Sequence, residues 1–192
     1  MKKFVFVLLF IVMAVSAFSK IVGLKFKPEE FDDQKYVIKY DPKKVDLLKP
    51  KPLESQTYNY ALRDKNGKYE IRYILFKQTE KIPDFEKYKI QVALWSMMVV
   101  ANITGDENGA EHTSVFKEAD VMNEFNADYG FTNFYKNVKT DFSTGYKYLM
   151  INFYCKRDLG IMCQTILFND LSWVKTNEFL WLFHSFKYST AG

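Results

Sequence analysis

Cys155 and Cys163 are the only cysteines in this 192-residue chain. Their spacing is not that of a Cys-x-x-Cys pair, so a redox-active dithiol is not what they offer. Two roles stay open: a candidate disulfide across a hairpin, or two buried thiols packing as small apolar groups. The two histidines, His112 and His184, lie far apart along the chain. Asp106, Glu107, Glu111 and His112 crowd one segment with the oxygen and imidazole donors a cation needs. Their spacing fits no calcium loop or zinc motif, and the segment reads as a solvated acidic loop. Acyl-transfer chemistry needs a Ser or Cys beside a base and an orienting carboxylate. Neither Gly-x-Ser-x-Gly nor His-Glu-x-x-His occurs. Gly105-Asp106-Glu107-Asn108-Gly109 would repel a phosphate with its two carboxylates. No catalytic, cofactor-binding or metal-ligating residue is assigned on these grounds, and no cofactor is expected.

Tyrosine is the residue type left with functional content. Tyr36, Tyr40, Tyr58, Tyr60, Tyr69 and Tyr73 carry the amphipathic rings that line grooves for a partner or a carbohydrate. The same residues also suit strands on a half-covered sheet, so packing alone would account for them.

Ahead of these elements stands an export signal in three parts. Met1, Lys2 and Lys3 form a positive start, Phe4 to Val15 is an apolar run, and Ser16, Ala17 and Ser19 supply small residues before a cut between Ser19 and Lys20. Residues 1–19 are thus expected to be a removable signal peptide, and residues 20–192 a single α/β domain. No cysteine follows the apolar run, so lipid attachment is not expected. The expected location is periplasmic or secreted, in soluble form. Ile90 to Ile103 is too short to span a bilayer and is interrupted by Gln91, Ser96 and Asn102, so it reads as a buried helix.

Formal net charge is +4 for the whole chain, from 27 basic and 23 acidic side chains. Loss of Lys2 and Lys3 with the leader leaves 25 against 23, a net charge of +2. That balance excludes a nucleic-acid surface, which needs a concentrated basic excess. Aromatics at 18% supply ample apolar area for a core and exclude disordered and fibrous classes.

The elements follow from periodicity. Val22, Leu24 and Phe26 alternate as a half-buried strand ending at Pro28, and Tyr36 to Tyr40 is a second extended piece. Asp41 to Pro52, with three prolines among its lysines, reads as an exposed connector. Asn66-Gly67 between Tyr58–Arg63 and Tyr69–Lys77 marks a tight hairpin. Its register sets Leu62 opposite Ile71 and Tyr60 opposite Tyr73. Tyr60, Leu62, Ile71, Tyr73 and Leu75 then share one face, and Ala61, Ile74 and Phe76 the other. Phe85 to Ile103 predicts a helix with two apolar stripes, Phe85, Tyr88, Val92, Trp95, Val99 and Ile90, Leu94, Met97, Ala101. Val115 to Tyr129 predicts a second helix with Ala119, Met122 and Phe125 inward, stopped by Gly130 in a left-handed conformation.

Phe131 to Tyr135 is a short strand, and Tyr146–Lys156 with Ile161–Phe168 form a long hairpin around Asp158-Leu159-Gly160. A three-residue loop there sets Arg157 opposite Ile161 and Cys155 opposite Cys163. Leu149, Ile151, Phe153, Ile161 and Leu167 then face one way, and Tyr148, Met150, Met162, Ile166 and Phe168 the other. The chain closes with a helix near Thr176 to Tyr188. A sheet apolar on both sides needs cover on both. The expected fold class is α+β, a mostly antiparallel central sheet with helices on both faces. The alternative is a cystatin-like or NTF-type cone with one helix on a curved sheet.

The tyrosine-rich Asn66-Gly67 hairpin, the helix Lys117 to Phe125 running into Gly130-Phe131, and the long hairpin before Phe179 to Phe186 give an order of elements that resembles the Mog/PsbP-like proteins. The resemblance covers residues 22–188 and implies an α/β/α sandwich and a non-catalytic module for protein binding or assembly. One branch of that family serves photosystem II in the thylakoid lumen and another binds the Ran GTPase; no partner-contact residue of either branch has a counterpart here, and export does not fit the Ran role. The function expected is an exported, non-enzymatic domain that binds another protein of the cell envelope, without nucleic acid and without a membrane span once the signal is removed. Two alternatives stand beside it: a carrier of a small apolar ligand in an aromatic-lined cavity, or a hydrolase with an unrecognised site.

Overall fold

Period-two apolar patterning on both sides of the hairpins becomes, in the computed structural model, an antiparallel sheet with both faces buried. The structure describes residues 36–50, 53–77, 84–106, 112–157 and 159–189. The leader, its Ser19–Lys20 cleavage point and the Val22–Phe26 strand lie outside the described residues. In chain order the strands are β1 (Tyr36–Ile38), β2 (Val45–Leu48), β3 (Tyr60–Asp64), β4 (Tyr69–Lys77), β5 (Thr113–Val115), β6 (Tyr129–Lys136), β7 (Tyr148–Lys156), β8 (Gly160–Phe168) and β9 (Phe186–Tyr188). Seven of them form one sheet in the order β2-β3-β4-β8-β7-β6-β5, every pair antiparallel, while β1 and β9 pair separately. Among the described residues three helices complete the mixed α+β fold: α1 (Phe85–Thr104), α2 (Glu118–Phe125) and α3 (Asn177–Phe183).

Two apolar clusters lie on opposite sides of the sheet. Ala61, Ile74, Ile151, Phe153 and Leu167 pack with Tyr88, Val92, Val99, Val100 and Ile103 of α1. On the other side, Leu62, Ile71, Tyr154, Met162 and Ile166 pack with Val121 and Phe125 of α2, Phe179 and Leu182 of α3, and Tyr36 and Tyr188 of the β1–β9 ladder. The face assignments expected for both hairpins hold. α1 starts where the Asp84 carboxylate accepts the Glu86 and Lys87 amides and stops at Gly105, whose φ of 73° suits glycine. Its second stripe stays outward, with Ile90 62% and Leu94 40% exposed.

Several boundaries differ from expectation, each for a local reason. The Asp41–Pro52 connector contains β2, an edge strand whose apolar Val45, Leu47 and Leu48 are set among lysines and prolines. Thr113 and Val115 favour extended backbone and form β5, so α2 begins at Glu118, where acidic side chains meet the helix dipole. Val121 and Phe125 face inward, whereas Ala119 and Met122 are exposed. The left-handed stop is Asn126, at φ 52°. Gly130 lies inside β6 instead, where an added Cβ would sit 2.9 Å from the Phe153 carbonyl oxygen. α3 ends at Phe183, and Phe186–Tyr188 turns back as β9 against β1.

Candidate binding groove

Cys155 and Cys163 do not face each other. The β7–β8 register places Lys156 opposite Gly160, Cys155 opposite Ile161 and Cys163 opposite Phe153. The expected register, with Arg157 opposite Ile161, is corrected by two positions because Gly160 ends the ladder rather than the loop. Diagonal cross-strand neighbours stand about 7–8 Å apart between Cα atoms, beyond the usual span of a disulfide. Both thiols are free and buried, and burial pushes both well above the usual thiol range. Native protein should resist 5,5′-dithiobis(2-nitrobenzoate), and denatured protein should release two thiols per chain; a denatured chain with none would contradict this register.

His184 joins two helices. Its Nδ1 lies 2.7 Å from the Leu180 carbonyl and its Nε2 lies 2.7 Å from the Glu124 carboxylate. The next residue, Ser185, turns its hydroxyl to Tyr73 at 2.7 Å and receives Gln164 Nε2 at 3.2 Å. His112 stands 3.7 Å from Asp106 and edge-on to Tyr135. Each imidazole thus meets a carboxylate, while the Ser185 hydroxyl is engaged by Tyr73 and Gln164 instead. Glu107 and Glu111 lie outside the described residues; among the described residues no group of three or more metal-type side chains converges.

The tyrosines divide into three sets. Tyr58 packs edge-on to Phe142 on the α1 side of the sheet, under the Arg72 guanidinium. Tyr69 stacks on Trp173 at 4.6 Å. Tyr36, Tyr40, Tyr60 and Tyr73 converge on one groove of about 400 Å³, together with Val37, Ile38, Leu47 and Leu62. The groove forms because α2 and α3 cover the middle of their face, while among the described residues the β2–β3 end is met by the β1–β9 ladder. Leu47, Leu62, Tyr60 and Tyr73 come from the seven-stranded sheet; Tyr36, Val37, Ile38 and Tyr40 come from β1 and its continuation.

No protein-family model, curated protein or solved structure matches this chain. The chemistry of the groove must therefore be read from its own atoms. The Tyr36 hydroxyl donates to the Leu159 carbonyl at 3.1 Å, and the Tyr73 hydroxyl is engaged by Ser185. Burial pushes the Tyr73 hydroxyl up to about 12. With those polar ends used internally, these two rings give the groove carbon surface. Leu47, 52% exposed, is its open lip.

Sequence reasoning reached the four tyrosines but missed Val37, Ile38, Leu47 and Leu62 as lining. The alternation of Val45, Leu47 and Leu48 with Asp46 was the available signal for β2. Nothing local could reveal the β1–β9 pairing that raises the opposite wall. No helix among the described residues is long and apolar enough to cross a membrane.

Proposed function

We propose that this chain is an exported, non-catalytic binding module, and that its tyrosine-lined groove receives an apolar group from a protein partner in the envelope or beyond it. The observation that carries the reading is an apolar groove of about 400 Å³ with four tyrosines in its wall. The volume falls within the range of about 300–1,000 Å³ typical of ligand sites. An aromatic lining offers large rigid contact area at low entropic cost. Helices on both faces of an antiparallel sheet support a layered sandwich of the Mog/PsbP-like kind. The three-part leader supports export.

A carrier of a small apolar ligand is the second reading, favoured by the same volume. Both are tested by titration with the fluorescent apolar probe N-phenyl-1-naphthylamine. Binding should weaken about tenfold or more in Leu47→Lys, which puts a charge on the lip. Ile90→Lys, on the opposite side of the sheet, should bind as wild type. Equal binding by wild type and Leu47→Lys would overturn the groove as the site.

A further inference from the structure

The wall of the groove includes a sheet edge, and the backbone there is specific about what it can accept. β2 pairs with β3 on one side and, among the described residues, has no strand on the other. The Lys65 amide donates to the Lys44 carbonyl at 3.0 Å, so Lys44 and Lys65 form a hydrogen-bonded pair. Antiparallel ladders alternate. Asp46 and Leu48 therefore turn their amides and carbonyls toward β3, and Val45 and Leu47 turn theirs outward. The Val45 amide is taken by the Asp41 carbonyl at 3.1 Å. This leaves the Val45 carbonyl and the Leu47 amide and carbonyl facing outward, with no partner among the described residues, directly beside the groove that the Leu47 side chain helps to line.

Resting on the groove reading above, we infer that the occupant is an extended acidic peptide segment of the partner, added as a short strand along β2 with one large apolar side chain in the groove. Three observations select this occupant. Outward amide and carbonyl groups two residues apart recognise a β-strand and nothing else as economically. A groove of about 400 Å³ takes a large side chain, with Tyr40 and Leu47 at its mouth. Among the described residues, Lys39, Lys43, Lys44 and Lys49 are exposed around β2 against Asp41 and Asp46, so the field they set up favours acidic flanks. Asp46 stands 3.8 Å from Lys65 and the Asp41 carboxylate accepts the Lys43 amide, which leaves the four lysines to meet the partner. The same features guard the edge: a four-residue strand bordered by Lys and Pro resists pairing with its own basic copy.

The probe is a fluorescein-labelled synthetic peptide with a valine-phenylalanine-valine centre between aspartate and glutamate flanks, followed by anisotropy on the full mature chain. Lysine flanks should weaken binding about tenfold or more. Two further peptides carry N-methyl groups on one or the other alternate set of backbone amides. Binding should be lost with one set and kept with the other, because only one edge of the added strand meets β2. Leu47→Pro, which removes an outward amide that makes no bond to β3, should weaken binding about tenfold beyond Leu47→Ala. Near-UV circular dichroism establishes that both variants fold, and the N-methyl series needs no variant at all. Binding of both N-methylated peptides, loss of both, or equal binding of the lysine-flanked peptide would overturn the inference. Capture of N-phenyl-1-naphthylamine without any peptide binding would sink the peptide and leave the groove reading standing; capture of neither would sink both.

Discussion

Glu70→Ala should destabilise the fold by about 3–5 kcal/mol, the cost of leaving a buried charge without its partner. Glu70 is fully buried on the interior strand β4, and both of its carboxylate oxygens are used. Oε1 accepts Arg72 Nε at 2.7 Å, and Oε2 accepts Arg63 Nε at 2.7 Å. Arg63 is 41% exposed and can turn to water, so the loss concentrates on Arg72. Arg72 is held under cover, its guanidinium over the rings of Phe142 and Tyr58 and hydrogen-bonded to the Phe142 carbonyl. Replacing the pair together, Glu70→Leu with Arg72→Met, should recover most of the loss, because well-packed apolar residues match a buried ion pair. Urea unfolding of the single and double variants measures both effects. Burial is the largest single influence on the Glu70 carboxyl and pushes it up, but the Arg72 and Arg63 guanidinium groups together outweigh it and hold the carboxyl below its ordinary value of 4.5. Its contribution is present above the unfolded carboxylate range and lost as pH falls through the lowered folded value. Wild type should therefore lose stability on acidification more steeply than the double variant.

The second large effect concerns neighbours on one strand. Phe153→Ala and Tyr154→Ala should each cost about 3–5 kcal/mol, although the two positions adjoin. Phe153 stacks on Phe131 at 4.8 Å and meets Trp95 of α1 edge-on. Tyr154 stacks on Phe125 of α2 at 4.1 Å and also lies against Phe116 and Phe186. Consecutive strand residues point to opposite faces. In a sheet covered on one side, one of the two would stand in water and be replaceable at little cost. A small effect at either position would contradict burial on both sides. Tyr154 carries an added role: its hydroxyl and Asn152 Nδ2 both donate to Gln164 Oε1, at 3.3 and 3.1 Å. That buried network continues through Ser185 to Tyr73, tying the end of α3 to the sheet behind the groove.

Much of this architecture was legible in sequence, and the misses share a physical cause. The β3–β4 register follows from Asn66-Gly67, with Gly67 at φ 72° and the Asp64 carboxylate accepting the Asn66 and Lys68 amides. In the β7–β8 hairpin the slip preserved the parity of the pairs, so every side chain kept its face while each changed its partner. Face assignments survived; the cysteine pairing did not. α1 was readable from its stripes, whereas β2, β5 and β9 were not. Each is only three or four residues long and owes its extended backbone to a partner strand rather than to its own pattern. Four of the groove's eight lining residues belonged to the tyrosine set read from sequence. The groove itself is the angle between the main sheet and the β1–β9 ladder, and that ladder pairs residues some 150 positions apart in sequence, as in Tyr36–Tyr188.

The central claim is that an apolar surface built to receive a partner lies between β1 and the β2–β3 end of the sheet. Methyl-resolved NMR during titration with N-phenyl-1-naphthylamine tests it at atomic positions. Val37, Ile38, Leu47 and Leu62 methyl signals should shift together, while Ile90 and Leu94 on α1 and Leu180 on α3 stay in place. Shifts centred on Ile90 and Leu94, or on Leu180, with the groove methyls unmoved, would contradict the account.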